Sequence, residues 1–181
     1  MTSATKGAGP AGAPSSPIAR TIALIETVVD RIGALSAVTC LVLVLVMATN
    51  VLLRYLFATG SIWAQELEWH LLVPICMLGA AYALRHGEHI RVDVLYAHYP
   101  ERLKAFADLL TAIIALLVSG LILKLSLPYV LQSWSMNEGS ANPGGVEMRY
   151  ILKAFIPFGF ALYFLQSAAD ALKAWLRLFP R

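Results

Sequence analysis

The sequence predicts an all-α integral membrane protein, with four transmembrane helices and amphipathic helical segments at the membrane interface. Three observations predict it. Of the 181 residues, 59% are hydrophobic and only 14% are charged, whereas soluble domains carry roughly 45–50% apolar and about 25% charged residues. A chain of this size exposes too much surface to hide that excess in one soluble core. The apolar residues also fall in long uncharged runs, with the basic residues gathered at their ends.

Residues 1–17 are rich in Gly, Ala, Pro and Ser. They bury too little apolar surface to order themselves, which predicts a disordered tail ahead of a single four-helix membrane domain over 18–181. The first strongly apolar run begins only at Ile32 and is too long for a signal-peptide core, so an uncleaved anchor fits better. Over 18–31, Ile18, Ile22, Ile25 and Val29 alternate with Arg20, Glu26, Asp30 and Arg31. That spacing predicts an amphipathic helix on, or leading into, the membrane.

The first span is expected at about 32–53, which is free of charge, with Asn50 its one strongly polar side chain. About 20 residues cross the hydrocarbon core. The second, about 67–84, contains His70 and Pro74. It is a little short at ~1.5 Å per residue, so its helix must extend back through Glu66 and Trp63 or be sheltered by partners. Residues 85–108 carry the densest charge. Within them Leu95, Tyr99, Leu103, Phe106 and Leu110 recur at helical intervals, and Pro100 suits a first turn, which predicts an interfacial segment at about 91–106. The third span, about 109–134, is interrupted by Lys124 and Pro128. A turn-rich loop with Asn142-Pro-Gly-Gly follows, and the fourth span is expected at about 150–172, with Pro157 near its start. Lys173, Trp175, Arg177 and Arg181 close the chain at an interface.

Ten of the 14 Lys and Arg residues lie in the N-terminal stretch, the 85–108 connection and the C-terminal tail. The positive-inside rule then places both termini in the cytoplasm. The basic residues form no face or stripe of the kind nucleic acid requires; at segment ends they suit lipid head groups. Cys40 and Cys76 sit in apolar runs, so neither a disulfide framework nor a Cys-based metal site is expected.

Candidate functional residues are few. A membrane haem held by two histidines needs imidazoles at matching depth on facing helices. Here only His70 lies near a span, while His86, His89 and His98 fall in the connection. Glu66, Glu68 and Lys124 could carry ion chemistry, because charges within a membrane are costly and often functional. The structural alternative puts Glu66 and Glu68 at the outer boundary, with Lys124 snorkelling outward or tied to one of them. Gly33, Gly79, Gly120 and Gly159 form no Gly-x-x-x-Gly pair, so no strong helix-dimer motif is present. The outward loop has no nucleophile–base pair, phosphate-binding Gly loop or metal-ligand spacing. No catalytic residue, enzyme activity or metal site is expected.

Arg54-x-x-Phe57, Trp63-x-x-Glu66, and Arg85-x-Gly-Glu-His-Ile-Arg-Val-Asp93 beyond a short span together resemble the small membrane subunit of TRAP (tripartite ATP-independent periplasmic) transporters, the DctQ-like family. The resemblance extends from the first span to the fourth. Trp63-Ala-Gln-Glu-Leu-Glu-Trp-His, with Asn142-Pro-Gly-Gly and Lys153-x-x-Ile-Pro, is similar to a branch labelled for mannitol or chloroaromatic compounds. Many members have Thr-Glu-Glu after the tryptophan; here Ala64-Gln65 precede Glu66, so only the last acidic position carries over.

The resemblance implies a non-catalytic subunit in a bacterial inner membrane. It would brace a large elevator-type permease subunit during sodium-coupled uptake of an organic acid delivered by a periplasmic binding protein. It implies no cofactor in this chain, with sodium bound in the large subunit. Arg54, Trp63 and Glu66 would shape the outer end; Glu68 and Lys124, from their position in the sequence and not from the resemblance, are expected as further subunit contacts or helix clamps. Arg85, His89, Arg91 and Asp93 would fix the cytoplasmic turn. The alternative is a stand-alone four-helix protein, either a homo-oligomeric channel or exporter or a cytochrome-like subunit.

Overall fold

The computed structural model describes residues 17–87 and 99–179. These residues form an all-α integral membrane fold, with four helices among them: α1 (Pro17–Phe57), α2 (Ile62–His86), α3 (Glu101–Ser135) and α4 (Arg149–Leu178). Each is long and apolar enough to cross a membrane. The helices alternate in direction, so the start of α1, the end of α2, the start of α3 and the end of α4 share one end of the bundle, here the terminal end. The short 58–61 connection and the 136–148 loop share the other, here the loop end.

The helices do not stop where the apolar runs stop. α1 has 41 residues, about 60 Å at ~1.5 Å per residue, and takes in both the 18–31 segment and the span that follows. No proline or turn sequence separates Asp30 from Ile32, so nothing breaks the helix where it would enter the bilayer. Residues 101–106 of the expected interfacial segment are likewise the opening turns of α3, while 91–98 lie outside the described residues, as do 1–16 of the expected tail. Pro17 opens α1, where its missing N–H costs no helical bond. Ser61 caps α2 by accepting a hydrogen bond from the Ala64 amide at 3.4 Å. Gly87 ends α2 at φ +72°, a left-handed cap suited to glycine.

α4 is the central helix. It packs most extensively on α3, then on α2, and also touches α1; α1 packs chiefly on α2. α1 and α3 thus form opposite edges and carry many exposed apolar side chains, as a bilayer allows. The α3–α4 seam is built on small residues. Ala105, Ala112, Ser119, Ser126 and Ser133, one every seven residues, are all buried, which lets the two backbones approach. Ser119 and Ser126 donate back to the Leu116 and Leu123 carbonyls at 3.1 and 2.9 Å, so their hydroxyls are satisfied within the helix.

Close approach elsewhere depends on single glycines. A Cβ on Gly159 of α4 would lie 2.8 Å from the Met77 carbonyl oxygen of α2, and one on Gly33 of α1 would lie 2.2 Å from Cδ2 of the Tyr82 ring. Ser36 donates to the Ile75 carbonyl at 3.0 Å between α1 and α2. Val29, Leu78, Ala81 and Leu162 form the apolar centre, flanked by Ile25, Ile32 and Phe155.

Candidate functional site

Apart from Lys124, the charged side chains of the described residues collect at the two ends of the bundle. At the loop end the organising group is the Glu66 carboxylate, on the second turn of α2 and only 6% exposed. It accepts hydrogen bonds from Ser140 Oγ at 2.5 Å, Asn142 Nδ2 at 2.7 Å and the Val146 amide at 2.7 Å. A buried carboxylate needs this density of donors to remain charged. All three come from the 136–148 loop, so Glu66 fastens that loop onto α2.

Asn142-Pro-Gly-Gly is shaped for this role. Pro143 precedes Gly144 at φ +78°, and the Gly145 amide donates to the Asn142 carbonyl at 3.0 Å. This is the order and closing bond of a type II turn. Gly145 then lies against the carboxylate: a Cβ there would fall 2.5 Å from Glu66 Oε2 and 2.4 Å from Ser140 Oγ. The turn also exposes a shallow polar cleft of roughly 410 Å³, bordered by Asn137, Ser140, Asn142 and Glu147.

Two further ties close this end. Glu138 is joined by Lys153 of α4, and it accepts from Ser133 of α3 at 2.7 Å. Those two donors hold its carboxyl below the ordinary carboxylate range, the lysine contributing most. The Lys153 ammonium also sits 4.2 Å from the centre of the Tyr129 ring. Glu68 accepts from Asn50 Nδ2 at 2.9 Å, binding α2 to the one strongly polar residue of the first span. His70 pairs its Nδ1 with the Glu66 carbonyl at 2.7 Å, which leaves it a local partner of its own helix.

At the terminal end an ionic chain links α1, α2 and α4, and a separate pair joins α4 to α3. Arg85 of α2 bonds the Asp30 carboxylate and the Glu26 carbonyl of α1. His86 lies 3.3 Å from Asp30. Lys173 of α4 joins Glu26 and, at 3.1 Å, Asp170. Arg177 of α4 reaches Asp108 of α3 at 3.7 Å.

The residues singled out in the sequence are thus sorted. Glu66 and Glu68 are both engaged within the chain. Arg54 and Trp63 are exposed at the loop end of α1 and α2. Lys124 is exposed on α3, and it makes no ion pair among the described residues, so the suggested tie from Lys124 to a carboxylate does not form. Arg85 grips α1. His89, Arg91 and Asp93 lie outside the described residues. Sequence reasoning missed Ser140, Asn142 and Val146 as partners of Glu66, and Glu26, Asp30, Asp170 and Lys173 as one ionic chain. Only the Asn-Pro-Gly-Gly punctuation hinted at the first group, and nothing in it specified a carboxylate 76 residues away. Among the described residues no group of three His, Cys, Asp or Glu side chains is placed to hold a metal ion.

Residues 43–177 match the family described as "Tripartite ATP-independent periplasmic transporters, DctQ component". The chain is 27% identical to the ectoine TRAP transporter small permease protein TeaB of Halomonas elongata, over 83% of this chain and 79% of that one. It is 33% identical to the C4-dicarboxylate TRAP transporter small permease protein DctQ of Rhodobacter capsulatus, over 59% of this chain and 48% of that one. It is also 33% identical to the sialic acid TRAP transporter permease protein SiaT of Haemophilus influenzae, over 35% of this chain but only 10% of that protein.

Proposed function

The chain belongs to the DctQ component family of the tripartite ATP-independent periplasmic transporters, and from that premise we propose that it braces the large, elevator-type membrane subunit of such a transporter in a bacterial inner membrane. One observation carries the bracing role. Most of the charged groups at the two ends of the bundle are spent on holding its helices and loop to one another. Glu66 is committed to the 136–148 loop, Glu68 to Asn50, and Glu26, Asp30, Arg85 and Lys173 to one another. A bundle locked at both ends resists tilting and shear while a partner's mobile part moves past it.

The reading extends to partners and mechanism. The large subunit would bind the solute and sodium, and a periplasmic binding protein would deliver an organic acid to the loop end. The positive-inside count supports that orientation, with both termini cytoplasmic. The polar cleft of the 136–148 loop then faces the periplasm, on the side from which a soluble receptor approaches. The stretch of SiaT similar to this chain is a tenth of that protein, so in that relative it is continuous with a much larger permease. The three relatives are named for three different solutes, which fits a small subunit that does not choose the solute. In this reading the chain is a transport component and performs no catalysis.

Deleting the gene for this chain tests the reading. Solute uptake into cells should be abolished, while the soluble receptor binds its solute as before. Full uptake without the chain would overturn the bracing role.

A further inference from the structure

We propose that the face of α3 bearing Lys124, Pro128 and Gln132 is the contact with the large membrane subunit, and that Lys124 meets an acidic side chain which that subunit places inside the bilayer. The inference rests on the reading of the chain as a small transporter subunit and assigns the surface through which it acts.

Depth comes first. Asp108, paired with Arg177, marks the terminal-end boundary on α3; Ser133, bonded to Glu138, marks the loop-end boundary. At ~1.5 Å per residue, Lys124 lies about 24 Å from the first level and about 14 Å from the second. It is therefore within the hydrocarbon, where an uncompensated ammonium is costly.

Snorkelling does not resolve this cost. The distance to Ser133 is about twice the reach of an extended lysine. Side chains on a helix lean toward its N-terminus, and α3 runs from the terminal end to the loop end. Lys124 therefore leans toward the bilayer centre, away from the nearer surface. Three of the carboxylates at that end are occupied, Glu66 by three donors, Glu68 by Asn50, and Glu138 by Lys153 and Ser133, and the exposed Glu147 of the loop forms no ion pair with Lys124.

Pro128 adds an independent observation. It lies inside α3 and has no N–H to give to the carbonyl four residues earlier, which is that of Lys124. The same residue thus presents an ammonium and a carbonyl deprived of its helical donor. Pro74 and Pro157 are buried in the bundle, whereas Pro128 is exposed. Gln132 is exposed one turn further on, and Leu121 and Leu125 flank the stripe at 57% and 62% exposure. A donor, an acceptor and an amide in line on an apolar edge match a polar partner helix. Acyl chains satisfy none of them.

The test co-expresses this chain with the large subunit of its own transporter and uses a photo-crosslinker at Leu121, with Val44 on the exposed face of α1 as the comparison. Leu121 should form an adduct with the large subunit and Val44 should not. Lys124→Met should weaken copurification of the large subunit roughly tenfold, the scale of the stronger interhelical polar contacts in bilayers, and Lys124→Arg should retain it. Thermal unfolding of each variant in detergent, without the large subunit, should match the parent chain, which separates a lost contact from a lost fold. If the parent chain copurifies the large subunit while Leu121 labels only lipid, or Lys124→Met copurifies it equally well, the assignment of this face is overturned and the bracing role stands. If the parent chain captures no large subunit, the bracing role fails and this assignment fails with it.

Discussion

The carboxylate of Glu66 on α2 accepts a hydrogen bond from the side-chain amide of Asn142 at 2.7 Å, across 76 residues of sequence. That bond joins the Trp63-x-x-Glu66 and Asn142-Pro-Gly-Gly sequences into one structure. The carboxylate charge makes three neutral donors worthwhile, and the turn supplies them at fixed spacing. The 136–148 loop is thereby shaped by a residue on another helix.

Replacing Glu66 with Gln should release the loop. The substitution removes the charge and turns an N–H₂ toward Ser140, Asn142 or the Val146 amide, setting donor against donor. Buried donors left without an acceptor are costly. The expected result is a melting temperature in detergent several degrees lower and faster proteolysis within 136–148, with helix content by circular dichroism unchanged. Gly145→Ala should reproduce the loop cleavage, because its Cβ would occupy the space between Glu66 Oε2 and Ser140 Oγ. Wild-type resistance to proteolysis in both variants would refute the role of this knot.

Gly159 offers a test of the α2–α4 crossing. A methyl group there would stand 2.7 Å from Met77 Cβ and 2.8 Å from the Met77 carbonyl oxygen, and backbone cannot rotate away as a side chain can. Gly159→Ala should destabilise the bundle by about 1–3 kcal/mol, the usual cost of overpacking. Gly60→Ala, with nothing within 4 Å of its added methyl, provides the control. Thermal or denaturant unfolding in mild detergent distinguishes the two.

The four helices were legible in the sequence because runs such as 32–53 contain no charge, and the lipid requirement is written into composition. Their ends were not. The amphipathic pattern of 18–31 describes the environment of those residues and is silent on whether α1 continues through them. The α3–α4 seam was missed for a related reason. Gly-x-x-x-Gly was sought, whereas Ala105, Ala112, Ser119, Ser126 and Ser133 repeat at seven residues and mix alanine with serine. Glu66 was recognised as informative, but its partners were not, since donor pairing across 74–80 residues depends on how the helices pack. Lys124 shows the reverse: that it pairs with no carboxylate among the described residues became visible only once the helices were packed.

Glu138 predicts how stability responds to acid. Its folded carboxyl titrates below the ordinary value of 4.5 because Lys153 and Ser133 hydrogen-bond the charged form. A group depressed in the folded state binds protons more readily when unfolded, so stability rises with pH across the window between the two values. The Glu138 contribution is therefore fully present above about pH 4.5 and is lost as pH falls through the lower, folded value. Melting temperature followed from pH 7 downward should hold steady near neutrality and then decline below pH 5. In Glu138→Gln the acid-side decline should be shallower, since one depressed carboxyl has been removed, and the neutral-pH melting temperature should be lower because the Lys153 tie is lost. Equal slopes in the two proteins would show that Glu138 does not link α3 to α4 through its charge.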